Sequence, residues 1–290
     1  MTDIPVTKPA PMRNLRLLLA YDGSSFHGWQ RQPNVATVQD CVEKAILRIV
    51  GEPVKLHASG RTDAGVHALG QVANFATSCR IPEANLQRAL NDILPPEVRV
   101  RSVSEAAPDF HARYAARSKT YRYRILLADV CSPFVSRYVW HYPYVLDRRL
   151  MAEAARIFIG EHDFTSFAAS GTLDEDDSEP SMVRSVFSSK VLWRERSALL
   201  IYEVRGNGFL HHMVRSLVGT LVEVGRGRLT PTDVLRILRA RERTCAGPTA
   251  PPQGLCLMRV DYYAWIPPHR QIKPRADSLG KSTMEPGRGG

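Results

Sequence analysis

Residues 54–76 read VKLHASGRTDAGVHALGQVANFA, with two glycines five positions apart, Gly60 and Gly65, between two apolar stretches. In a phosphate-binding loop the second glycine is followed by a lysine and a hydroxyl residue, and the loop opens onto a helix. Here Val66 and His67 follow. Residues 54–58 and 71–76 both have strand character, so the loop joins strand to strand. That excludes the nucleotide-binding arrangement. What remains is Arg61 and Asp63, one residue apart between glycines. An aspartate beside glycine ordinarily serves the turn, bonding nearby backbone amides. A carboxylate with a guanidinium close by is also a candidate for chemistry, because the cation favours its ionised form.

Working outward, residues 15–21 (LRLLLAY) read as a buried strand, and residues 38–50 carry a helical stripe at Val38, Cys41, Val42, Ala45, Ile46 and Ile49. Thr37, with Asp40 three residues on, is the expected N-cap. The second half repeats the theme: residues 120–127 and 198–204 read as strands, and residues 210–224 as a helix with Val214, Leu217, Val218 and Leu221 on one face. Strand and helix patterns in both halves predict an α+β chain of two lobes. The boundary falls near residue 105, giving 13–105 as the lobe with the glycine loop and 106–266 as the second. Residues 1–12 and 267–290, rich in Pro, Gly and charge, read as disordered tails. Residues 171–180 (GTLDEDDSEP) hold five acids in ten and read as a mobile acidic loop.

Composition narrows the function classes. The chain has 290 residues, 44% hydrophobic and 23% charged, which is ordinary for a globular protein. No apolar run approaches the roughly 20 residues of a membrane helix, and residues 15–20 are too short for a signal-peptide core. A cytoplasmic protein is expected. Five cysteines without a C-x-x-C pair argue against a disulfide framework or a zinc site. The net charge of +10 suits a polyanionic partner. His211-His212 lacks the spacing of a helical metal site, since adjacent helical residues point about 100° apart. Gly206-Asn207-Gly208 lacks the third glycine of a dinucleotide fingerprint, so no cofactor motif is found.

Residues 110–124, FHARYAARSKTYRYR, interleave five cations with four aromatic rings and contain no acid. Cations can neutralise phosphates while rings stack on bases. If residues 120–127 form a strand, Tyr121 and Tyr123 share one face and Arg122 and Arg124 the other. The same pattern also describes a half-buried strand with its aromatics in the core.

The ordered set of motifs resembles the tRNA pseudouridine synthase A (TruA) family. It comprises Tyr21-Asp22-Gly23, residues 26–30 (FHGWQ), residues 60–68 (GRTDAGVHA), residues 110–113 (FHAR), Lys119-x-Tyr121-x-Tyr123, residues 162–167 (HDFTSF) and residues 209–215 (FLHHMVR). The resemblance spans roughly residues 14–265. It implies a pseudouridine synthase fold, two RRM/ferredoxin-like α+β lobes sharing a mostly antiparallel central sheet. The implied activity is isomerisation of uridine to pseudouridine at positions 38, 39 and 40 of the tRNA anticodon stem-loop, by a homodimer without metal or organic cofactor. Carried over residue by residue, Asp63 matches the catalytic nucleophile, Tyr121 the tyrosine that stacks on the target uracil, and Arg215 the partner of the carboxylate. Arg61 matches the residue that helps evert the base, and Phe110, His111, Ala112, Arg113 and Tyr114 a segment that contacts tRNA. The chain departs from the pattern in its acidic 171–180 loop, expected to swing away from RNA or tune release, and in Ser185, where threonine is expected. Two other readings use the same features: a tRNA-binding chaperone without turnover, which the joint presence of Asp63, Tyr121 and Arg215 disfavours, and a nucleotide hydrolase, disfavoured by Val66 and His67.

Overall fold

A computed structural model of the protein describes residues 12–169 and 181–262. The acidic stretch 171–180, the tail at 267–290 and all of the N-terminal tail except Met12 lie outside the described residues. In chain order the elements are β1 (Arg13–Tyr21), α1 (Val38–Val50), β2 (His57–Ala58), β3 (His67–Thr77), α2 (Glu83–Ile93), β4 (Val98–Ala106) and β5 (Ser118–Leu126). They continue with β6 (Trp140–His141), α3 (Arg148–Ile157), β7 (Gly160–Asp163), β8 (Val183–Arg194), β9 (Leu199–Gly206), α4 (Met213–Gly225), α5 (Pro231–Ala240) and β10 (Leu255–Asp261).

The fold is α+β, built on one ten-stranded sheet with the path β4-β1-β3-β10-β5-β9-β8-β7, β2 pairing with β3 and β6 with β5. It is mostly antiparallel. The parallel pairings are β10 with β3, where Cys256 faces His67 and Leu257 faces Ala68, and β6 with β5. The placement of β10 matters most for function: the last described strand runs between β3, which leaves the glycine loop, and β5, which carries Tyr121. Alternation sets the faces. On β1, Leu15, Leu17, Leu19 and Tyr21 are buried; on β5, Tyr121, Tyr123 and Ile125 are.

Thr37 caps α1, its side chain accepting from the Asp40 amide, and the αL cap at Gly51 (φ +81°) ends it. α5 begins with a capping box in which Thr230 and Asp233 satisfy each other's backbone amides. α4 is buried nearly all round, with Val214, Leu217, Val218 and Leu221 in the core. It packs on α3, which also meets α5 and β8.

Several expected boundaries move. The strand expected at 54–58 is confined to His57–Ala58, because only there does the chain run beside Asn74 and Ala73 of β3. β3 begins at His67, directly after the loop, where pairing with Tyr21 and Cys256 recruits it. The helix expected from residue 210 starts at Met213, because His212 takes a left-handed conformation (φ +59°).

Candidate active site

The glycine loop is held from both sides by segments distant in sequence. Thr62 accepts from the Trp29 amide at 3.0 Å, and Gly65 donates to the Phe26 carbonyl at 3.3 Å. The Thr62 and Tyr21 hydroxyls lie 2.8 Å apart. Gln71 donates to the Gly60 carbonyl at 2.8 Å and accepts from Ser59 at 2.6 Å. Two glycines of the upstream motifs exist for this contact. A Cβ on Gly23 would lie 2.1 Å from the Val66 carbonyl oxygen. Gly28 combines φ +88° with a Cβ position 2.7 Å from the Thr62 oxygen and 3.2 Å from the Ala64 nitrogen.

Gly28→Ala is therefore expected to cost about 2–3 kcal/mol, from left-handed strain and overpacking together. It should also lower turnover, because Thr62 and Ala64 flank Asp63. Gly51→Ala is the control: its φ is +81° but nothing lies within 4 Å of its Cβ position. It should lose about 1 kcal/mol and no activity. Thermal melts with single-turnover rates test the pair, and equal activity in both variants would show that the Gly28 contact does not position the loop.

Asp63 meets the first turn of α4. Arg215 Nη1 donates to its Oδ2 at 2.9 Å, and the two side chains are 13% and 18% exposed. Arg215 Nε also donates to the Ala250 carbonyl at 2.8 Å, while the Ala250 amide donates to the Arg215 carbonyl at 3.1 Å. A cation in the first turn of a helix opposes the helix dipole, and α4 has no acidic residue there. Asp63, arriving from another part of the sheet, supplies the missing negative charge.

Adjacent helical side chains would diverge, but His211 and His212 precede α4, and their rings lie side by side with centroids 4.0 Å apart. His211 Nε2 is 3.8 Å from Asp63 Oδ1, and His212 Nε2 is 3.5 Å from Oδ2. The expectation that these rings could not converge thus fails, because it assumed a helix that starts three residues later. One ligand atom from each of Asp63, His211 and His212 lies within 4.8 Å of the others, donor types that suit a transition metal. Arg215 on the same carboxylate competes with any cation there. Burial holds His212 below the ordinary histidine range, with Asp63 opposing the shift.

Tyr121 is 7% exposed and meets Phe209 edge to face at 5.2 Å. Burial pushes its hydroxyl well above the ordinary range, and the nearby Tyr21, Asp63 and Cys256 add to the shift. The ring therefore stays neutral at working pH. Arg122 turns to the other face and pairs with Glu203 at 2.6 Å, as the alternation predicts.

The 110–114 segment divides by role. The Phe110 carbonyl accepts from Asn14 at 2.8 Å and Asn74 at 3.2 Å, and its ring packs on Tyr262. Ala112 is fully buried, its amide donating to Asn74 and its carbonyl accepting from Tyr262. These two residues fasten the segment to the sheet, so the side chain of Ala112 is not on offer to a ligand. His111 lies between His57 and Tyr114, and Arg113 sits over the exposed Tyr114 ring. Arg61 is exposed at the head of the loop. In residues 162–167, Phe164 and Phe167 are core and Ser166 links the Ile237 carbonyl to the Glu242 amide. A separate cavity of about 280 Å³, lined by Asp22, His67, Arg124, Tyr138 and Cys256 among others, does not include Asp63 or Tyr121.

The described residues thus bring together a carboxylate held by an arginine and a buried tyrosine, on a basic α+β frame. A family model described as tRNA pseudouridine synthase matches residues 18–115 and 154–263. A tRNA pseudouridine synthase A of Solibacter usitatus is 50% identical over 251 residues, covering 87% of this chain and 100% of that protein. Proteins of the same name from Caldicellulosiruptor saccharolyticus and Geobacter sulfurreducens are 45% and 46% identical over 251 residues, again with 87% of this chain and 100% of each relative covered. The chain belongs to the tRNA pseudouridine synthase family, whose members are isomerases of RNA.

Proposed function

We propose that the protein isomerises uridine to pseudouridine at positions 38, 39 and 40 of the tRNA anticodon stem-loop, with Asp63 as nucleophile. The observation that carries this reading is the Asp63 carboxylate fixed by Arg215 beside Tyr121. In the reaction the N1–C1′ bond breaks, the uracil turns, and C5 bonds to C1′; the C5 proton leaves and N1 takes one up. Nucleophilic carboxylates suit glycosidic centres because they hold the sugar carbon while the leaving group is free. Tyr121 offers a neutral ring on which the uracil stacks. Arg61 is at the exposed head of the loop, suited to fill the space of an everted base, whose eversion costs a few kcal/mol. His111, Arg113 and Tyr114 present charge and aromatic surface to the RNA, whereas Phe110 and Ala112 act by holding that segment in place.

The test is incubation of the purified protein with unmodified tRNA, without added metal or nucleotide, followed by chemical mapping. Pseudouridine at 38–40 is expected, and binding without modification would favour the chaperone reading. The active form is read as a cytoplasmic homodimer. Among the described residues no helix is long and apolar enough to cross a membrane. Val130 and Phe134, 80% and 89% exposed on the segment after β5, supply apolar surface that a second copy would cover. Sedimentation at micromolar concentration checks the dimer, and a single monomeric species would sink it.

A further inference from the structure

His211 and His212 take no part in the reaction as described above, yet both rings meet the carboxylate that it uses. They lie on the link between β9 and α4, and His212 holds φ +59°, a left-handed conformation that costs energy in a residue with a side chain and clusters at functional sites. Their rings are 4.0 Å apart and tilted by 36°. His211 Nε2 is 3.8 Å from Asp63 Oδ1 and His212 Nε2 is 3.5 Å from Oδ2, with one atom of each residue within 4.8 Å of the other two. A tetrahedral zinc ion with bonds of about 2.0–2.2 Å sets its ligand atoms about 3.4 Å apart. The two contacts to Asp63 therefore need to close by only a few tenths of an ångström, and rotation of the half-exposed His211 ring can take up the remainder.

The chemistry of the three groups agrees with the geometry. Imidazole nitrogen and carboxylate oxygen are zinc donors, and three protein ligands leave a fourth position open. Burial holds His212 below the ordinary histidine range, so its ring is neutral and keeps a lone pair at neutral pH. Arg215 occupies Oδ2 at 2.9 Å and leaves Oδ1 to accept an ion. A ligating carboxylate is commonly hydrogen-bonded from its other side in this way. Arg215 and Arg243 are the cations that act on His212, and their repulsion keeps the affinity below that of a closed structural site. Magnesium is excluded by its preference for six oxygen ligands.

We propose that Asp63, His211 and His212 form an inhibitory site for a divalent transition-metal ion of the zinc type, which takes the carboxylate that would otherwise attack the nucleoside. The inhibition rests on the reading of Asp63 as nucleophile given above, whereas binding of the ion rests on the three side chains alone. An ion on Oδ1 uses the lone pairs that the attack on the nucleoside requires, so ion and target nucleoside exclude each other. By linkage, each weakens the binding of the other by the same factor. The enzyme would then idle when free zinc rises and recover when it falls, with the magnesium that accompanies tRNA having no such effect.

The experiment uses the untagged full chain and has two arms. In the first, without RNA, Zn²⁺ is titrated against a chromophoric chelator. Wild type should bind in the micromolar range, and His211→Gln and His212→Gln should each weaken binding by at least the roughly 10–100-fold that loss of an outer-shell partner costs. Co²⁺ on wild type identifies the ligands without any substitution: a four-coordinate nitrogen and oxygen site gives visible bands without thiolate charge transfer. The exposed Cys245 is the competing type of ligand, and a thiolate band would overturn the proposal. So would the absence of zinc binding, or equal binding by wild type and both histidine variants that melt as wild type does. In the second arm, single-turnover modification of an anticodon stem-loop is followed with Zn²⁺ or an equal concentration of Mg²⁺. Zinc should stop the wild-type reaction, a chelator should restore it, and magnesium should leave it unchanged. In His211→Gln, whatever its own metal-free rate, zinc should no longer change that rate. Inhibition of variant and wild type alike would place the zinc on the RNA, and histidine-dependent binding without inhibition would mean that the ion leaves Asp63 free; either result would overturn the proposal. A wild type that modifies nothing in the absence of metal would fail the functional reading instead, and the first arm would still decide whether the ion binds.

Discussion

Asp63→Asn is expected to lose turnover by on the order of 10⁶-fold, the scale seen when a nucleophile is removed from a site whose other groups stay in place. Asparagine keeps the shape and can still accept a hydrogen bond from Arg215 at the position now 2.9 Å away. It cannot form a covalent bond to the sugar or base as a carboxylate does. Binding should persist: replacing a negative charge by a neutral amide in a site for a polyanion leaves affinity unchanged or improved. The measurement is a single-turnover assay with mapping at 38–40, paired with filter binding of the same tRNA. A rate within tenfold of wild type would remove Asp63 from the nucleophile's role, and loss of binding would make it a structural residue of the loop.

The second large effect is expected at Arg215. This side chain joins three parts of the molecule: α4 through its backbone, the Ala250 carbonyl through Nε, and Asp63 through Nη1. Removing the cation in Arg215→Met leaves a carboxylate, 18% exposed, without its main counter-charge. That should cost about 2–3 kcal/mol of stability, the low end for breaking a buried pair because some water reaches it. The larger consequence is positional. A carboxylate displaced by about 1 Å loses about 100-fold in rate, so kcat should fall by that much or more while KM for tRNA changes by less than about threefold. Arg215→Lys separates charge from geometry, because one ammonium cannot make the forked contact with Ala250 and Asp63 together. It should recover most of the stability and little of the rate. Full recovery by lysine would show that charge alone is required.

Much of this architecture was legible in the chain. The apolar run of residues 15–21, the stripe and cap at residues 37–50, and the α4 face at Val214, Leu217, Val218 and Leu221 are local signals that burial confirms. Tyr121 and Tyr123 were assignable to one face from alternation alone. Other elements gave no local signal strong enough to read. The short strands β6 and β7 exist through their partners. β10, within LCLMRVD, could not be placed between β3 and β5 from its own residues, since nothing in a strand's sequence names its neighbours. The capping box of α5 was available at Thr230 and Asp233.

The site divides in the same way. Without the fold, residues 60–67 establish that the glycine loop cannot hold a nucleotide and that Asp63 sits between glycines where a carboxylate can be presented, because turn chemistry and motif spacing are properties of adjacent residues. Only the tertiary structure brings Arg215 to Asp63 across 152 positions of chain, turns His211 and His212 together by a left-handed residue before α4, and sets Lys119 over Gly60. These are meetings between strands and helix ends whose distance along the chain carries no record of their distance in space. They are decided by which apolar faces bury one another, and the charged groups are carried into place by that packing.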